Sequence, residues 1–245
     1  MDFQFLIDKN IKNSCVSGSL NHFKKRFNDK YALSDIDPRS NKPCIFFGIY
    51  NTYEWQNYFN YKGPKFILFG GTDINPFHLL GKFNIRLIIQ YKIKNILVLS
   101  EKAKHNLTRL NIQSLFFDMN LVNKNLFFPK QNKQKSNKIY CYNGTFGKPR
   151  PDTYGGNLLI MLKQKLTNYE FIFSSDVNYA YEKMPDLYNS VFIVLRLTSQ
   201  DGNANTVQEC EAMNIPVVHN ISKYGLKYKN IDDIIKHINH AYNNQ

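Results

Sequence analysis

The chain is poor in acids and in arginine, and its cysteines are unpaired in spacing. Asp and Glu number 19 against 32 Lys and Arg, a formal charge of +13 over 245 residues. Cys15, Cys44, Cys141 and Cys210 are scattered, with no Cys-x-x-Cys pair. A disulfide framework and a structural zinc site therefore find no support, and a reducing compartment fits. No apolar run is long enough to span a bilayer. Met1-Asp2-Phe3-Gln4 lacks the basic-then-apolar opening of a secretory signal, so the expected location is cytoplasmic. Gly-x-Gly-x-x-Gly and the P-loop pattern are both missing, which removes the usual marks of dinucleotide and ATP chemistry. Nothing resembles a Ser–His–Asp nucleophile arrangement. His237 and His240 can share a helix face, but no further metal ligands accompany them, and a solvated face explains them better. His219 ends a short strand and can be a packed strand-end residue or part of a site.

What is present suffices for a folded protein. With 43% hydrophobic and 15% aromatic residues, the chain can fill a core and is not expected to be disordered. Its length allows one large domain or two small ones. The basic excess is mostly Lys, in company with abundant Asn, Ile, Tyr and Phe. That blend resembles translation of an AT-rich genome, as in some large DNA viruses, where the location would be the host cytoplasm. Compositional drift can thus supply the charge, and no nucleic-acid partner is expected, although a basic nucleic-acid-binding protein is the rival that charge suggests. The same charge attracts anionic donors or phospholipid headgroups and allows peripheral association with a membrane.

Along the chain, apolar strands alternate with helical stretches, which argues for α/β architecture with parallel sheets covered by helices. In the first half, strands are expected at Phe3–Ile7, Cys44–Gly48, Lys65–Phe69, Ile96–Ser100 and Gln113–Phe117. A helix over Glu101–Leu110 has Ser100 as its cap. The segment 130–138 is polar and basic and reads as an exposed linker, dividing the chain into domains 1–129 and 130–245. The second half repeats the alternation. Strands are expected at Ile139–Tyr142, Tyr169–Phe173, Val191–Leu197 and Pro216–His219. Helices are expected over Thr153–Leu166, over Asn178–Tyr188 with a break near Pro185, from about Ala204, and over Ile231–Tyr242.

The most informative segment runs from Leu195 to Val218. An apolar strand ends in Arg196. A small-residue loop carries Asp201-Gly202-Asn203, and a helix follows with Asn205, Thr206 and Glu209. Asn214-Ile215-Pro216-Val217 leads into the next strand. The two acids are separated by seven residues, one at the strand's exit loop and the other inside the helix. In open parallel sheets ligands bind beyond the carboxyl ends of the strands. A helix start beside small residues offers N–H groups to a phosphate or hydroxyl. The pattern suits a phosphorylated ligand whose hydroxyls the acids would bind; an ordinary strand–loop–helix unit with a polar turn is the alternative.

This segment resembles the signature of GT-B-fold retaining glycosyltransferases of the group 1 or family 4 type. Asp201-Gly202 stands where that family has Glu-Gly, Glu209 where it has a second Glu, and Asn214-Ile215-Pro216-Val217 where it has Gly-x-Pro-Val. Asp for Glu shortens the reach by a methylene, and Asn at 214 tolerates left-handed geometry better than most residues. The resemblance covers the C-terminal half best. It implies two Rossmann-like domains facing a cleft, with the donor in the C-terminal half and the acceptor in the N-terminal half. It further implies transfer of a hexose or pentose from a nucleotide-diphosphate sugar, a UDP- or GDP-sugar, to a glycan, protein or lipid acceptor. The expected reaction is retaining, with no cofactor and no metal, because the Asp-x-Asp motif of the other main glycosyltransferase fold is missing.

The resemblance also assigns candidates elsewhere. Asp201 and Asp73 are the catalytic candidates. Glu209, Gly202, Asn205 and Thr206 fall on the donor side. The loop after the first strand of the second half, Tyr142 to Arg150, would give the donor diphosphate Lys148 and the bidentate fork of Arg150. The alternative, an incidental surface charge, weighs nearly as much for Lys148 and less for Arg150, because Arg is scarce in this chain. Tyr154 and Gly155 open a helix whose backbone can approach phosphate. Arg196 can bind phosphate or pair with Asp201 or Glu209. Phe69-Gly70-Gly71-Thr72-Asp73 ends a first-half strand. There Gly71 and Thr72 are acceptor-side candidates, and Asp73 can bind a sugar hydroxyl, assist proton transfer or close a turn. Ser17 and Gly18 correspond by position to the glycine-containing acceptor loop. A degenerate GT-B protein that binds a nucleotide-sugar or glycan without turnover is the alternative.

Overall fold

The computed structural model describes residues 39–49, 51–71, 73–117, 122–130, 134–198, 204–221 and 224–245, and residues 4–7 by their backbone. The chain divides into two units, Met1–Leu121 and Val122–Gln245.

The first unit holds a five-stranded parallel sheet in sequence order: β1 (Gln4–Ile7), β2 (Cys44–Phe47), β3 (Lys65–Phe69), β4 (Ile96–Val98) and β5 (Leu115–Phe116). Helices α1 (Thr52–Asn60), α2 (Leu79–Gln90) and α3 (Glu101–Thr108) follow β2, β3 and β4. β2 and β4 are buried along their whole length, as expected of parallel strands that read as unbroken apolar runs. One face, through Phe46, Phe69 and Val98, packs on Trp55 and Tyr58 of α1, Ile85 and Ile88 of α2 and Leu107 of α3. Local chemistry sets the helix starts. Asn51 and Glu54 form a reciprocal capping box on α1, and Ser100 accepts from Ala103 N–H on α3. Asn84 of α2, fully buried, joins three elements. It accepts from the Trp55 indole and donates to the carbonyls of Ile49 and Asp73. Beside it, Gly81 lies so close to the Asn75 carbonyl that a Cβ there would sit 1.9 Å from the oxygen.

The second unit is wound on both faces. Its parallel sheet has the order β11-β10-β6-β9, from β6 (Lys138–Cys141), β9 (Glu170–Phe173), β10 (Ile193–Leu195) and β11 (Val217–Val218). A short antiparallel hairpin, β7 (Gly144–Thr145) and β8 (Lys148–Pro149), follows β6. The helices are α4 (Gly156–Lys165), α5 (Met184–Ser190), α6 (Asn205–Ala212) and α7 (Ile231–Asn243). Alternation along the strands splits the core in two. Tyr140, Val194 and Val217 face Tyr188 of α5 and Val207 and Cys210 of α6. Ile139, Leu195 and Val218 face Leu159 of α4 and Ile234 and Ile238 of α7. After β6 the chain steps outward to β9, then returns to the other side of β6 for β10 and β11. The strand order therefore reverses between β6 and β10, where open α/β sheets part their loops into a ligand crevice.

Three sequence expectations shift. The boundary lies before Val122, because Val122 and Phe127 belong to the second unit's core. The 130–138 stretch is not a free linker, although 131–133 fall outside the described residues. Ser136 donates to the Ser190 carbonyl, Gln245 bonds its backbone on both sides, and Lys138 opens β6. Pro185 opens α5 rather than breaking a helix: a 3-10 turn at Tyr181–Lys183 precedes it, and a first-turn proline loses no hydrogen bond.

Candidate functional site

The C-terminal edge of the second sheet gathers most of the polar groups of interest. β6 delivers Tyr142 and Asn143, β9 delivers Ser174 and Ser175, β10 delivers Arg196, and β11 delivers His219. At the reversal between β6 and β10, the Arg196 guanidinium lies 4.1 Å from the Tyr142 ring centre and 5.2 Å from that of Tyr154. The two rings meet edge to face at 4.8 Å. Cation–π attraction is worth most where water is excluded, and Arg196 is only 7% exposed. Its Nη1 reaches Thr206 Oγ1 on α6 at 3.4 Å. Its backbone donates to the Val218 carbonyl, and its own carbonyl lies 3.1 Å from His219 Nδ1. His219 is thus a packed strand-end histidine that holds the arginine's backbone.

Glu209 lies on the buried side of α6, 5% exposed, and accepts from the Tyr188 hydroxyl at 2.8 Å. Burial pushes its carboxyl up to about 7, against the pull of the Tyr188 hydrogen bond and the Arg196 charge. Gly155, the residue before α4, has φ 65°, a conformation that favours glycine. A Cβ there would stand 2.8 Å from the Leu197 carbonyl oxygen, so its absence lets the start of α4 lie against the exit of β10. Neither α4 nor α6 has a side-chain cap.

A knot of polar bonds shapes the loop between. Asn143 accepts from Ser175 N–H and donates to its hydroxyl, while Ser174 donates to the Gly144 carbonyl. These tie the exits of β6 and β9 together and fix the root of the β7–β8 hairpin, on which Lys148 and Arg150 are exposed.

Tyr154, Gly155, Arg196, Thr206 and Glu209 are therefore placed around one end of one sheet. Asn205 is the first residue of α6, and Lys148 and Arg150 belong to the neighbouring hairpin. Asp73 and Gly71 belong to the first unit. There Asp73 is fully buried, and its two oxygens accept from Gly70 and Gly71 N–H at 3.0 and 2.7 Å. Burial raises its carboxyl to about 6 even against those backbone bonds. The geometry is that of the turn-closing alternative, and the Asp73 carboxylate faces its own loop. Ser17, Gly18, Thr72, Asp201 and Gly202 lie outside the described residues. Tyr142 and Tyr188 were not singled out by sequence. A tyrosine on either side of the glycine-containing loop was the visible hint for this pair of rings; Tyr188 gave none. Among the described residues, no group of three or more His, Cys, Asp or Glu is placed to hold a metal.

Neither family models nor curated proteins give a match. Solved structures do. The chain is similar to TarM, a GT-B glycosyltransferase, at 15% identity and a TM-score of 0.63, over 93% of this chain and 51% of that one. A variant of TarM from S. aureus, in complex with fondaparinux, alpha-GlcNAc-glycerol and UDP, gives 15% identity and a TM-score of 0.61, over 93% and 52%. Sucrose-phosphate synthase from Thermosynechococcus elongatus gives 12% and 0.56, over 96% and 70%. The chain thus spans about half the length of the TarM chains it matches. With two parallel α/β units and these neighbours, the chain has the GT-B fold.

Proposed function

We propose that this protein is a glycosyltransferase whose second unit binds the nucleoside diphosphate of a UDP- or GDP-sugar at the β6–β10 reversal. The observation that carries the reading is the Arg196 guanidinium, packed against the touching rings of Tyr142 and Tyr154 and bonded to Thr206 at the start of α6. A guanidinium fixed in this way adds positive potential where the starts of two helices already favour an anion. Arg150 and Lys148, exposed on the adjacent hairpin, supply further charge to the diphosphate. Glu209 accepts from ribose hydroxyls, and binding of the donor sugar is the role proposed for Asp201 with Gly202. The UDP in the TarM variant's complex supports a donor of this class.

In the reaction, the bond from the sugar's anomeric carbon to the diphosphate oxygen breaks, and the electron pair leaves with the phosphate. The acceptor hydroxyl oxygen bonds to that carbon, and its proton passes to the departing phosphate oxygen. Retention, metal independence and transfer of a hexose or pentose to a glycan, protein or lipid acceptor complete the proposal. Its mechanistic basis is that preorganised cations and N–H groups can stabilise a leaving diphosphate, each donor being worth about 3 kcal/mol in the transition state.

Calorimetry with UDP and GDP tests the site. One of them should bind, equally with and without EDTA, and Arg196→Gln should weaken that binding about tenfold to a hundredfold, the range for a charged hydrogen bond. Unchanged affinity in a folded variant removes Arg196 from the site. Nucleotide release from a panel of UDP- and GDP-sugars, assayed in EDTA, tests turnover. One alternative is a GT-B protein that binds donor without transferring it. Tight nucleotide binding with no turnover on any donor would select that alternative.

A further inference from the structure

We propose that the outer face of α2 is a docking surface for an anionic lipid bilayer. Leu79, Lys82, Phe83, Arg86 and Ile89 recur along one side of this helix, opposite the buried Gly81, Asn84, Ile85 and Ile88. The outward residues are apolar and basic by turns. Leu79 is 83% exposed, Ile89 57% and Phe83 45%, and Phe77, just before the helix, is 85% exposed. The Ile89 side of the stripe continues into a shallow groove of about 480 Å³, which also meets Pro76 and Leu110.

Charge identifies the occupant. From Ile74 to Ser100 the sequence holds no Asp or Glu, while Lys82, Arg86, Lys92 and Lys94 are all exposed. Neither Lys82 nor Arg86 takes part in an ion pair among the described residues. A solvated helix face normally interleaves both signs and buries its large apolar groups. A nucleic-acid surface needs the cations but not four exposed apolar side chains. Apolar groups that enter the acyl boundary, flanked by cations at headgroup level, are the pattern of a helix lying in a membrane interface. No helix of the described residues is long and apolar enough to cross a membrane, so contact through this face would be peripheral. The proposal does not depend on transferase activity, since vesicle binding is read without donor or acceptor.

The test is co-sedimentation of the full chain with two vesicle types, phosphatidylcholine alone and phosphatidylcholine mixed with phosphatidylglycerol. The mixed vesicles should bind the protein and the neutral ones should not. Lys82→Gln with Arg86→Gln should weaken binding about 30-fold, from about 1 kcal/mol for each cation near the surface. Leu79→Ser with Phe83→Ser should weaken it as clearly, although no charge changes. Lys165→Gln with Lys236→Gln, an equal charge change on the second unit, should leave binding nearly intact. Equal loss in that control would assign the binding to net charge and overturn the proposal. Indifference to the Leu79 and Phe83 changes would also overturn it, as would failure to bind mixed vesicles. A dimer in sedimentation velocity that dissolves on Phe83→Ser would assign the face to a second copy of the chain instead.

Discussion

At the scale of single residues, three buried polar groups at the sheet edge are held by contacts that differ in kind. Arg196 is held by ring faces and a hydroxyl, Glu209 by a tyrosine hydroxyl, and His219 by a backbone carbonyl. Glu209 has a measurable consequence in the absence of any ligand. Its carboxyl sits near 4.5 in a solvated chain and is raised to about 7 in the fold. Between those values the folded protein keeps a proton that the unfolded chain has lost. The stability this provides is full below about pH 4.5 and is lost as the pH rises through about 7. Glu209→Gln removes the titration while keeping a group that can accept from Tyr188. The variant should therefore gain stability relative to the wild type as the pH rises from 5 to 8, by up to about 1.4 kcal/mol for each unit of pH within the window. Urea denaturation across that range reads the difference directly. A difference that stays constant with pH would mean that Glu209 is ionised throughout. Asp73 titrates in the same direction, with its carboxyl raised to about 6, but it is common to both proteins and cancels in the comparison.

At the scale of elements, the start of α4 is the part of the site most sensitive to shape. Gly155 combines a left-handed backbone with a close approach to the Leu197 carbonyl, so a methyl group meets two penalties there. A left-handed non-glycine residue costs about 1–2 kcal/mol, and overpacking adds about 1–3 kcal/mol. The reduced flexibility of the unfolded chain that normally favours Gly→Ala offsets about 0.4–1 kcal/mol. The penalties win, and Gly155→Ala should destabilise the protein by about 1–4 kcal/mol. It should also weaken nucleoside diphosphate binding by moving α4 off the β10 exit. Thermal unfolding and calorimetry check the two effects. Wild-type stability in this variant would mean that the loop relaxes freely and that α4 is not positioned by this contact. Asn214, between α6 and β11, shows how such positions appear in sequence. It has φ 55°, and its identity as Asn, at the place where the signature it resembles has glycine, already pointed to left-handed backbone.

At the scale of the whole molecule, each unit has its own parallel sheet and its own hydrophobic core. All the groups proposed to hold the donor, from Tyr142 to Glu209, belong to the second. A fragment spanning Val122–Gln245 should therefore fold and bind the nucleoside diphosphate with nearly the affinity of the full chain, yet transfer no sugar. Calorimetry on the fragment beside the full chain makes the comparison. A folded fragment that binds no nucleotide would show that the first unit completes the donor site.

The α/β alternation was legible in the sequence because buried parallel strands read as unbroken apolar runs. Lys65–Phe69 and the Ser100 cap were placed to the residue for that reason and for local capping chemistry. The strand–loop–helix unit around Arg196 and Glu209 was equally local, a matter of spacing along one segment. Strand order was not legible. Nothing in a strand's own residues says which neighbour it pairs with, and the reversal between β6 and β10 follows from crossovers that the fold as a whole permits. The domain boundary escaped for a similar reason. A polar stretch resembles a linker until Ser136 is seen bonded to Ser190, and Val122 and Phe127 look unremarkable until they enter a distant core. The site divides along the same line. The sequence determined that a glycine would open α4, that an arginine would end β10 and that a glutamate would lie on α6. Only the tertiary structure decided that Tyr142 and Tyr154 pack together against that arginine and that Tyr188 meets that glutamate. Those contacts join residues far apart in the chain, and long-range packing leaves no periodicity or spacing for a sequence to display.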